Sequence, residues 1–221
     1  MREVTKHDAA SFDLRPRLTR RLRQQWREGR SIVIVGGPAM GKSTALDALR
    51  LVRPDGVIDD AGPTEVRAAL AAATPFAASL DVRHYALAQA AKERAIFVPL
   101  SNVPKVQWRR LFPEAASDAG WSKTTGHPGL FTLDGEARAE LHERWRALLR
   151  DHASQRRALQ LFDAPPEGAR PSSVYRHMRD ELGASLKPTL DWLACAGLVT
   201  RFIDGPGPGV VRLAAYAPTD P

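Results

Sequence analysis

The chain has 221 residues, 43% hydrophobic and 26% charged, which is typical of a globular protein with one large domain or one medium and one small domain. No apolar run approaches the roughly 20 residues that span a bilayer, and the N-terminal residues lack the apolar core of a signal peptide, so a membrane partner is not expected. The single cysteine, Cys195, excludes a disulfide within the chain and predicts a reducing, cytoplasmic compartment.

The formal net charge is +7, which would suit a nucleic-acid partner, but the distribution of charge disfavours one. Residues 1–30 carry nine basic side chains against four acidic ones, whereas residues 151–221 carry eight of each. The excess therefore belongs to the N-terminal helix, where a solvated arginine-rich face is the simpler interpretation.

Four apolar residues at helical spacing predict an amphipathic helix over residues 14–29: Leu14, Leu18, Leu22 and Trp26. Residues 31–35 form a short β-branched run that predicts a fully buried strand. Residues 44–51 are rich in alanine and leucine and predict a helix. The segment between this strand and this helix carries the strongest signal in the sequence.

That segment reads G-x-x-x-x-G-K-S, and a strand before it with a helix after it is the context that gives the pattern a mechanism. Glycines allow the backbone N–H groups to point inward and form an anion-binding nest at a helix N-terminus. Lys42 would reach the β- and γ-phosphates of a nucleotide, and the Ser43 hydroxyl would ligate Mg²⁺. The predicted cofactor-binding residues are Gly36, Gly37, Pro38, Ala39, Met40, Gly41, Lys42, Ser43 and Thr44.

Phosphoryl chemistry also needs a carboxylate for Mg²⁺ and a group that orients water. A short strand over residues 56–60 ends in two carboxylates, so Asp59 is predicted to hold the metal and Asp60 to act as base. Few apolar residues support this strand, and it follows Ser43 closely. Residues 76–80 could form a second strand that ends at Asp81, or part of a connection between helices. Asp81 is the alternative metal ligand, and the sequence favours Asp59 without excluding it.

Residues 95–100 predict another buried strand, and Asn102 follows its end. In that position Asn102 is predicted to polarise the γ-phosphate or the attacking water. The alternative is that residues 101–104 form an ordinary turn, and the sequence leaves the two open.

The remaining chain predicts helices and one hairpin. A loop over residues 124–131 leads into a helix that continues to residue 149. From residue 151 the pattern is three helices and then two short strands flanking residues 205–209, which predicts a winged helix. The predicted domains are a core over residues 1–120, a helical lid over 121–150 and a winged helix over 151–221. The fold class is therefore α/β, with a parallel P-loop sheet flanked by helices and a small C-terminal winged-helix domain.

With these parts in order, the chain resembles the STAND branch of the AAA+-related P-loop NTPases. The resemblance rests on the segment over residues 12–15 with its following helix, on the Walker A loop, on residues 125–130 and on the terminal winged helix. Residues 125–130 read T-G-H-P-G-L and are similar to the family's "GHP" signature. This similarity implies ATP or ADP with Mg²⁺ as cofactors, with His127 and Pro128 lying against the nucleotide.

The chain departs from the family pattern in ways that bear on activity. Aspartate stands where the catalytic glutamate is usual, the strand before it is weak, and there is no room for the repeats of full-length relatives. The resemblance implies a minimal nucleotide switch with slow or absent hydrolysis. It also implies a role in bacterial signalling or conflict systems, exerted through protein partners or homo-oligomers.

Two other functions compete with the switch. A DNA-binding regulator would use the helix over residues 184–196, but Lys187 there is offset by Asp191, and residues 205–209 carry no basic side chain. A small-molecule kinase would need an arginine-rich lid over its acceptor, and the C-terminal segment does not resemble one. The sequence therefore favours the switch.

Overall fold

The computed structural model describes residues 14–72, 74–111, 121, 126–133, 135–163, 171–202 and 210–213. The first residues of the segment over 12–15, Thr125 of the GHP-like stretch and the hairpin tip over residues 205–209 lie outside the described residues.

The central layer is a four-stranded sheet in the order β2-β3-β1-β4, with every strand parallel to its neighbours. The strands are β1 (Ile32–Gly36), β2 (Val57–Ile58), β3 (Ala77–Asp81) and β4 (Ile96–Pro99). In the register of β1 and β3, Gly36 lies opposite Asp81. Because parallel strands end at the same edge of a sheet, the loops that follow β1, β2 and β4 meet at that edge.

Helices surround the sheet and form the C-terminal part. They are α1 (Pro16–Arg27), α2 (Lys42–Arg50), α3 (Pro63–Ala71), α4 (Tyr85–Ala90), α5 (Lys105–Leu111), α6 (Pro128–Thr132), α7 (Gly135–Arg150), α8 (Ala153–Asp163), α9 (Pro171–Leu182) and α10 (Leu186–Ala196). Two antiparallel strands, β5 (Val199–Phe202) and β6 (Val210–Leu213), follow α10. The α/β class and the parallel sheet flanked by helices are as predicted, while the winged-helix domain stays a prediction.

Side-chain alternation along β1 explains how the sheet is covered on both faces. Ile32 and Ile34 lie in a buried cluster with α1 and α2, which includes Trp26. Val33 and Val35 lie in the opposite cluster, which continues through α7 into α8 and α10. A strand buried on both faces needs apolar residues at every position, which is the pattern that predicted it.

The second of these clusters crosses the predicted boundary at residue 150. It includes Trp145 of α7, Leu159 of α8 and Leu193 of α10, all buried together with Val35 of the sheet. The described C-terminal helices therefore share a continuous apolar core with the sheet. Among the described helices, none has the length and apolar character that crossing a membrane requires.

Candidate functional site

The loop between β1 and α2 contains two residues with a positive φ. Gly41, directly before α2, has a φ of 81°, and Ala39 has a φ of 54°. The left-handed region is costly for residues other than glycine, so Ala39 marks backbone strain in this loop. The loop thus delivers the N-terminus of α2, with its unpaired N–H groups and positive dipole end, to the carboxyl edge of the sheet.

Lys42 lies inside the curl of this loop. Its Nζ donates hydrogen bonds to the carbonyl oxygens of Gly36 and Gly37, each at 2.9 Å. Burial lowers the pKa of Lys42 below its usual value, while the charges of Asp81 and Asp60 act in the opposite direction. The amine is therefore positioned by the loop itself and lies among acidic groups.

A cavity of about 460 Å³ opens over the loop, within the range of small-molecule sites. Its lining residues come from α1 and the two residues before it, the loop and the start of α2, the turn after β2, the residue after β4, and helices α6 and α7. They are Leu14, Arg15, Leu18, Thr19, Pro38, Ala39, Met40, Gly41, Lys42, Ser43, Thr44, Ala45, Asp59, Asp60, Leu100, Pro128, Gly129 and Arg144. The loop residues from Pro38 to Thr44 thus share one cavity with both predicted carboxylates.

Asp59 is bound within a small polar network. Its Oδ1 accepts hydrogen bonds from the Oγ of Ser79 at 2.7 Å and from the backbone N–H of Asp60 at 3.0 Å. Burial acts to raise the pKa of Asp59, but hydrogen bonds from Ser79, Ser43 and the Asp60 backbone outweigh it, and the pKa lies below its usual value. The side chain is therefore an ionised carboxylate beside the Ser43 hydroxyl, a suitable pair of oxygen donors for Mg²⁺.

The strand before these carboxylates is shorter than predicted. β2 ends at Ile58, and Asp59 and Asp60 lie in a turn in which Asp60 has a φ of 50°. The backbone N–H of Asp60 also donates to the Ser79 Oγ at 2.8 Å, so the neighbouring strand β3 holds this turn.

Asp81, the alternative metal ligand, ends β3 and is directed elsewhere. Its Oδ1 accepts hydrogen bonds from the backbone N–H and the Nε of Arg83, at 2.9 and 3.0 Å. Asp81 does not line the cavity, although its charge acts on Lys42. The geometry thus brings Asp59, rather than Asp81, together with Ser43.

The GHP-like residues divide between the cavity and the core. Pro128 and Gly129 line the cavity, and a Cβ on Gly129 would lie 2.4 Å from the Cβ of Ala39. His127 is fully buried behind them, where its Nδ1 accepts a hydrogen bond from the backbone N–H of Leu130 at 3.3 Å. Burial, assisted by the charge of Arg15, lowers the pKa of His127 to about 3. The neutral imidazole therefore caps α6 and supports the loop.

Asn102 lies away from the cavity. Its side chain is buried, and its Nδ2 donates a hydrogen bond to the carbonyl oxygen of Gly197 at 3.1 Å. It is not among the residues that line the cavity. The structure therefore does not bring Asn102 together with Lys42 and Asp59.

The other side of the loop is covered by the C-terminal end of α10. The backbone N–H of Gly37 donates to the carbonyl oxygen of Cys195 at 2.9 Å, and the Cys195 thiol contacts the carbonyl oxygen of Val35 at 3.3 Å. Burial raises the pKa of this thiol to about 12, so it is an un-ionised core group. A Cβ on Gly37 would lie 2.4 Å from the carbonyl oxygen of Ala196, which makes this contact a close backbone approach.

Sequence reasoning did not identify two arginines at the site as functional. The Nη1 of Arg15 donates to the carbonyl oxygen of Met40 at 2.9 Å, and its Nη2 donates to that of Ser101 at 2.5 Å. Arg144 lines the cavity from α7. Arg15 lies in the segment over residues 12–15 that carries part of the resemblance, but its type and spacing do not predict these contacts, and Arg144 is one of several arginines of α7.

A larger groove of about 890 Å³ lies at the opposite edge of the sheet, lined in part by Arg30, Thr74 and Phe97. It lacks the glycine loop and the acidic pair, so the cavity over the loop is the better candidate for a functional site.

Comparison with models of known protein families finds no match to this chain, and searches of curated proteins and of solved structures find no similar protein.

Proposed function

We propose that this protein binds ATP or ADP with Mg²⁺ in the cavity over the loop and acts as a nucleotide switch. The observation that carries the proposal is the position of the loop between two parts of the molecule. One side of it lines the cavity with Lys42 and Ser43, and the other side binds the end of α10 through Gly37. A ligand that reshapes the loop would therefore change the docking of the C-terminal helices.

The nucleotide would be held by groups of complementary chemistry. The N–H groups of the loop and Lys42 would bind the phosphates, and Ser43 and Asp59 would hold Mg²⁺. The apolar wall of Leu14, Leu18 and Leu100 suits a base, and the assignment of adenine rests on the resemblance to STAND proteins.

Slow or absent hydrolysis is part of this proposal. Asp60 lines the cavity and would orient the attacking water, whereas Asn102 is bonded to Gly197 and contributes no side chain there. The site thus has groups that would hold Mg²⁺ and phosphate but few side chains that would orient an attacking water. This supports retention of the nucleotide over rapid hydrolysis. The C-terminal segment would form a winged helix, which cytoplasmic protein partners or further copies of the chain would recognise.

The test compares nucleotide binding by the wild type, Lys42→Ala and Lys187→Ala. Lys187 is an exposed lysine of α10 that pairs with Asp191 outside the cavity, so its variant controls for loss of a positive charge. Calorimetry with Mg²⁺ and ATP, ADP or GTP, together with chromatography of nucleotide released by acid, measures affinity and identity.

We expect the wild type and Lys187→Ala to bind an adenine nucleotide equally, and Lys42→Ala to bind it roughly 100-fold more weakly because two charge-assisted phosphate contacts are lost. Released ADP would indicate slow hydrolysis, and intact ATP would indicate none. If the wild type neither retains nor binds nucleotide, or if Lys42→Ala binds as well as the wild type, the proposal is wrong.

A further inference from the structure

The solvent side of α1 concentrates positive charge. The helix contains five arginines and no acidic residue. One of them, Arg23, is partly buried, and its Nε donates a hydrogen bond to the carbonyl oxygen of Ala48 at 3.1 Å. The other four are exposed to solvent: Arg17, Arg20, Arg21 and Arg27. The sequence alone makes a solvated face the simpler interpretation, and the structure adds how these side chains are arranged.

The four exposed arginines lie on one side of α1, and we call this surface the arginine stripe. At 3.6 residues per turn they fall within an arc of about 120°. This arc lies opposite the side through which Leu22 and Trp26 enter the core. At a rise of about 1.5 Å per residue, the stripe extends roughly 15 Å from Arg17 to Arg27. The stripe is therefore a straight row of cations on the surface.

The charge of the stripe is not neutralised by the part of the chain that the structure describes. No hydrogen bond or ion pair joins its four guanidinium groups to any described residue. By contrast, Arg146 of α7 pairs with Glu143 on its own helix. Glu28, the acidic residue directly after α1, accepts hydrogen bonds from the side chains of Gln24 and Gln25 instead.

This arrangement opposes the stability of the helix that carries it. Like charges three and four residues apart repel, as Arg17 does with Arg20 and Arg21. Arg17 also lies in the first turn, where a cation opposes the helix dipole and no acidic residue compensates. Packing holds α1 in place, since Trp26 is fully buried and its Nε1 donates to the carbonyl oxygen of Arg53 at 3.1 Å. A local rule that is broken on a well-packed element indicates a function.

We propose that the arginine stripe binds the phosphate backbone of a nucleic-acid duplex without sequence preference. A duplex carries one negative charge for about every 1.7 Å of its axis, so a straight row of four cations meets several phosphates at once. Each guanidinium presents a planar fork of donors that matches phosphate oxygens. Contacts of this kind position a protein on a duplex but do not read its bases. The inference is independent of the proposed function, because the stripe lies outside the cavity.

The chemistry of α1 favours a duplex over other polyanions. Proteins that bind single strands offer exposed aromatic side chains for stacking, and membrane-surface helices direct apolar side chains toward lipid. Trp26 is the aromatic residue of α1 and is fully buried, while Leu18 and Leu22 pack in the same core cluster. The stripe thus offers charge without an apolar contact surface.

The test measures binding of a labelled DNA duplex of about 20 base pairs by fluorescence anisotropy, over a range of salt concentrations and without nucleotide. The first variant replaces the stripe: Arg17→Gln, Arg20→Gln, Arg21→Gln and Arg27→Gln. The matched control replaces four exposed arginines elsewhere: Arg67→Gln, Arg94→Gln, Arg176→Gln and Arg179→Gln. Both variants lower the formal net charge of +7 by four. Glutamine has nearly the helix propensity of arginine, so both should fold, which the Tm verifies.

We expect the wild type to bind the duplex with a slope of log K against log salt concentration of roughly −3 to −4, since each neutralised phosphate contributes about 0.9. The stripe variant should bind more than about tenfold more weakly at low salt, with a slope reduced to roughly −1 or less in magnitude. The control should keep the slope of the wild type. A duplex of shuffled sequence should bind equally, and a duplex of RNA in a parallel measurement distinguishes the two sources of the backbone.

Three outcomes would overturn the inference. The wild type might bind neither duplex at low salt. The stripe variant and the control might lose affinity equally, which would make net charge the cause rather than the stripe. Binding to phosphatidylserine vesicles without binding to a duplex would assign the stripe to a membrane surface instead. None of these outcomes bears on nucleotide binding, which is measured separately.

Discussion

At the scale of residues, the strained backbone of this molecule lies at the cavity. Ala39 and Asp60 are the non-glycine residues with positive φ in the described chain, and both line it. Each such residue costs on the order of 1 kcal/mol or more, so the surrounding contacts must maintain it. Gly129 packs on Ala39, and Ser79 holds the turn at Asp60.

Burial of His127 behind the cavity makes the stability of the fold depend on pH. Its pKa of about 3 in the folded protein lies below the usual 6.5 because burial opposes the charged form. The unfolded chain therefore binds the proton more readily between these values. The stabilising contribution is complete above pH 6.5 and falls as the pH decreases, by up to about 1.4 kcal/mol for each pH unit.

The matched variant is His127→Asn, which keeps a side-chain acceptor for the α6 cap but has no titratable group. We expect the free energy of unfolding of the wild type to decrease more steeply between pH 6.5 and 5 than that of the variant, in chemical denaturation. The other histidines are common to both proteins and do not affect the difference. Equal slopes would show that His127 is not the buried neutral group described above.

At the scale of elements, the C-terminal end of α10 is bonded to three other segments of the chain, and we call it the α10 junction. The last carbonyl groups of a helix have no partner within it, and here three of them accept hydrogen bonds from three other segments. Cys195 receives the Gly37 N–H, Ala196 receives the Trp145 Nε1, and Gly197 receives the Asn102 Nδ2. These bonds join the loop, α7 and the segment after β4 at one point.

Gly37→Ala tests how closely the loop packs on the α10 junction. The added Cβ would lie 2.4 Å from the carbonyl oxygen of Ala196 and close to two more backbone atoms of that residue, so α10 must move away from the loop. We expect a loss of roughly 1–3 kcal/mol, or several degrees in Tm, by thermal unfolding.

The control is Gly135→Ala, because a Cβ on Gly135 meets no atom within 4 Å. It should change the free energy of unfolding by less than about 0.5 kcal/mol. A Tm for Gly37→Ala equal to that of the control would contradict the close packing of α10 on the loop.

At the scale of the whole molecule, a nucleotide should act on residues that it does not touch. The backbone N–H groups of Gly197 and Leu198 donate to Ala194 and Leu193, and they exchange hydrogen only when the end of α10 opens. If bound nucleotide closes the C-terminal helices over the cavity, exchange at these amides should slow.

Hydrogen exchange followed by mass spectrometry, with and without Mg²⁺-ATP, measures this coupling. We expect exchange over residues 195–198 to slow several-fold in the wild type and to remain unchanged in Lys42→Ala. If nucleotide slows exchange in the wild type only in the loop and α2, the protein binds nucleotide. The proposal that it acts as a switch is then wrong.

Part of the site was predictable from the sequence alone. The loop with Lys42 and Ser43 is continuous in sequence with its strand and helix, so the spacing of residues determines its geometry. The apolar pattern likewise determined β1, β4 and the amphipathic helices, because each satisfies a local periodicity. These features require no knowledge of which segments meet.

Only the tertiary structure shows which carboxylate lies beside Ser43 and where the other predicted site residues are. Asp59 follows one short apolar strand and Asp81 ends another, so the sequence favours Asp59 but leaves both open as the carboxylate beside Ser43. The side chains of His127 and Asn102 could have faced a ligand or the core, and burial beside α10 directs them to the core. Arg144 reaches the cavity through packing between segments about a hundred residues apart. Sequence periodicity reports local conformation, whereas such contacts depend on how the sheet and helices pack together.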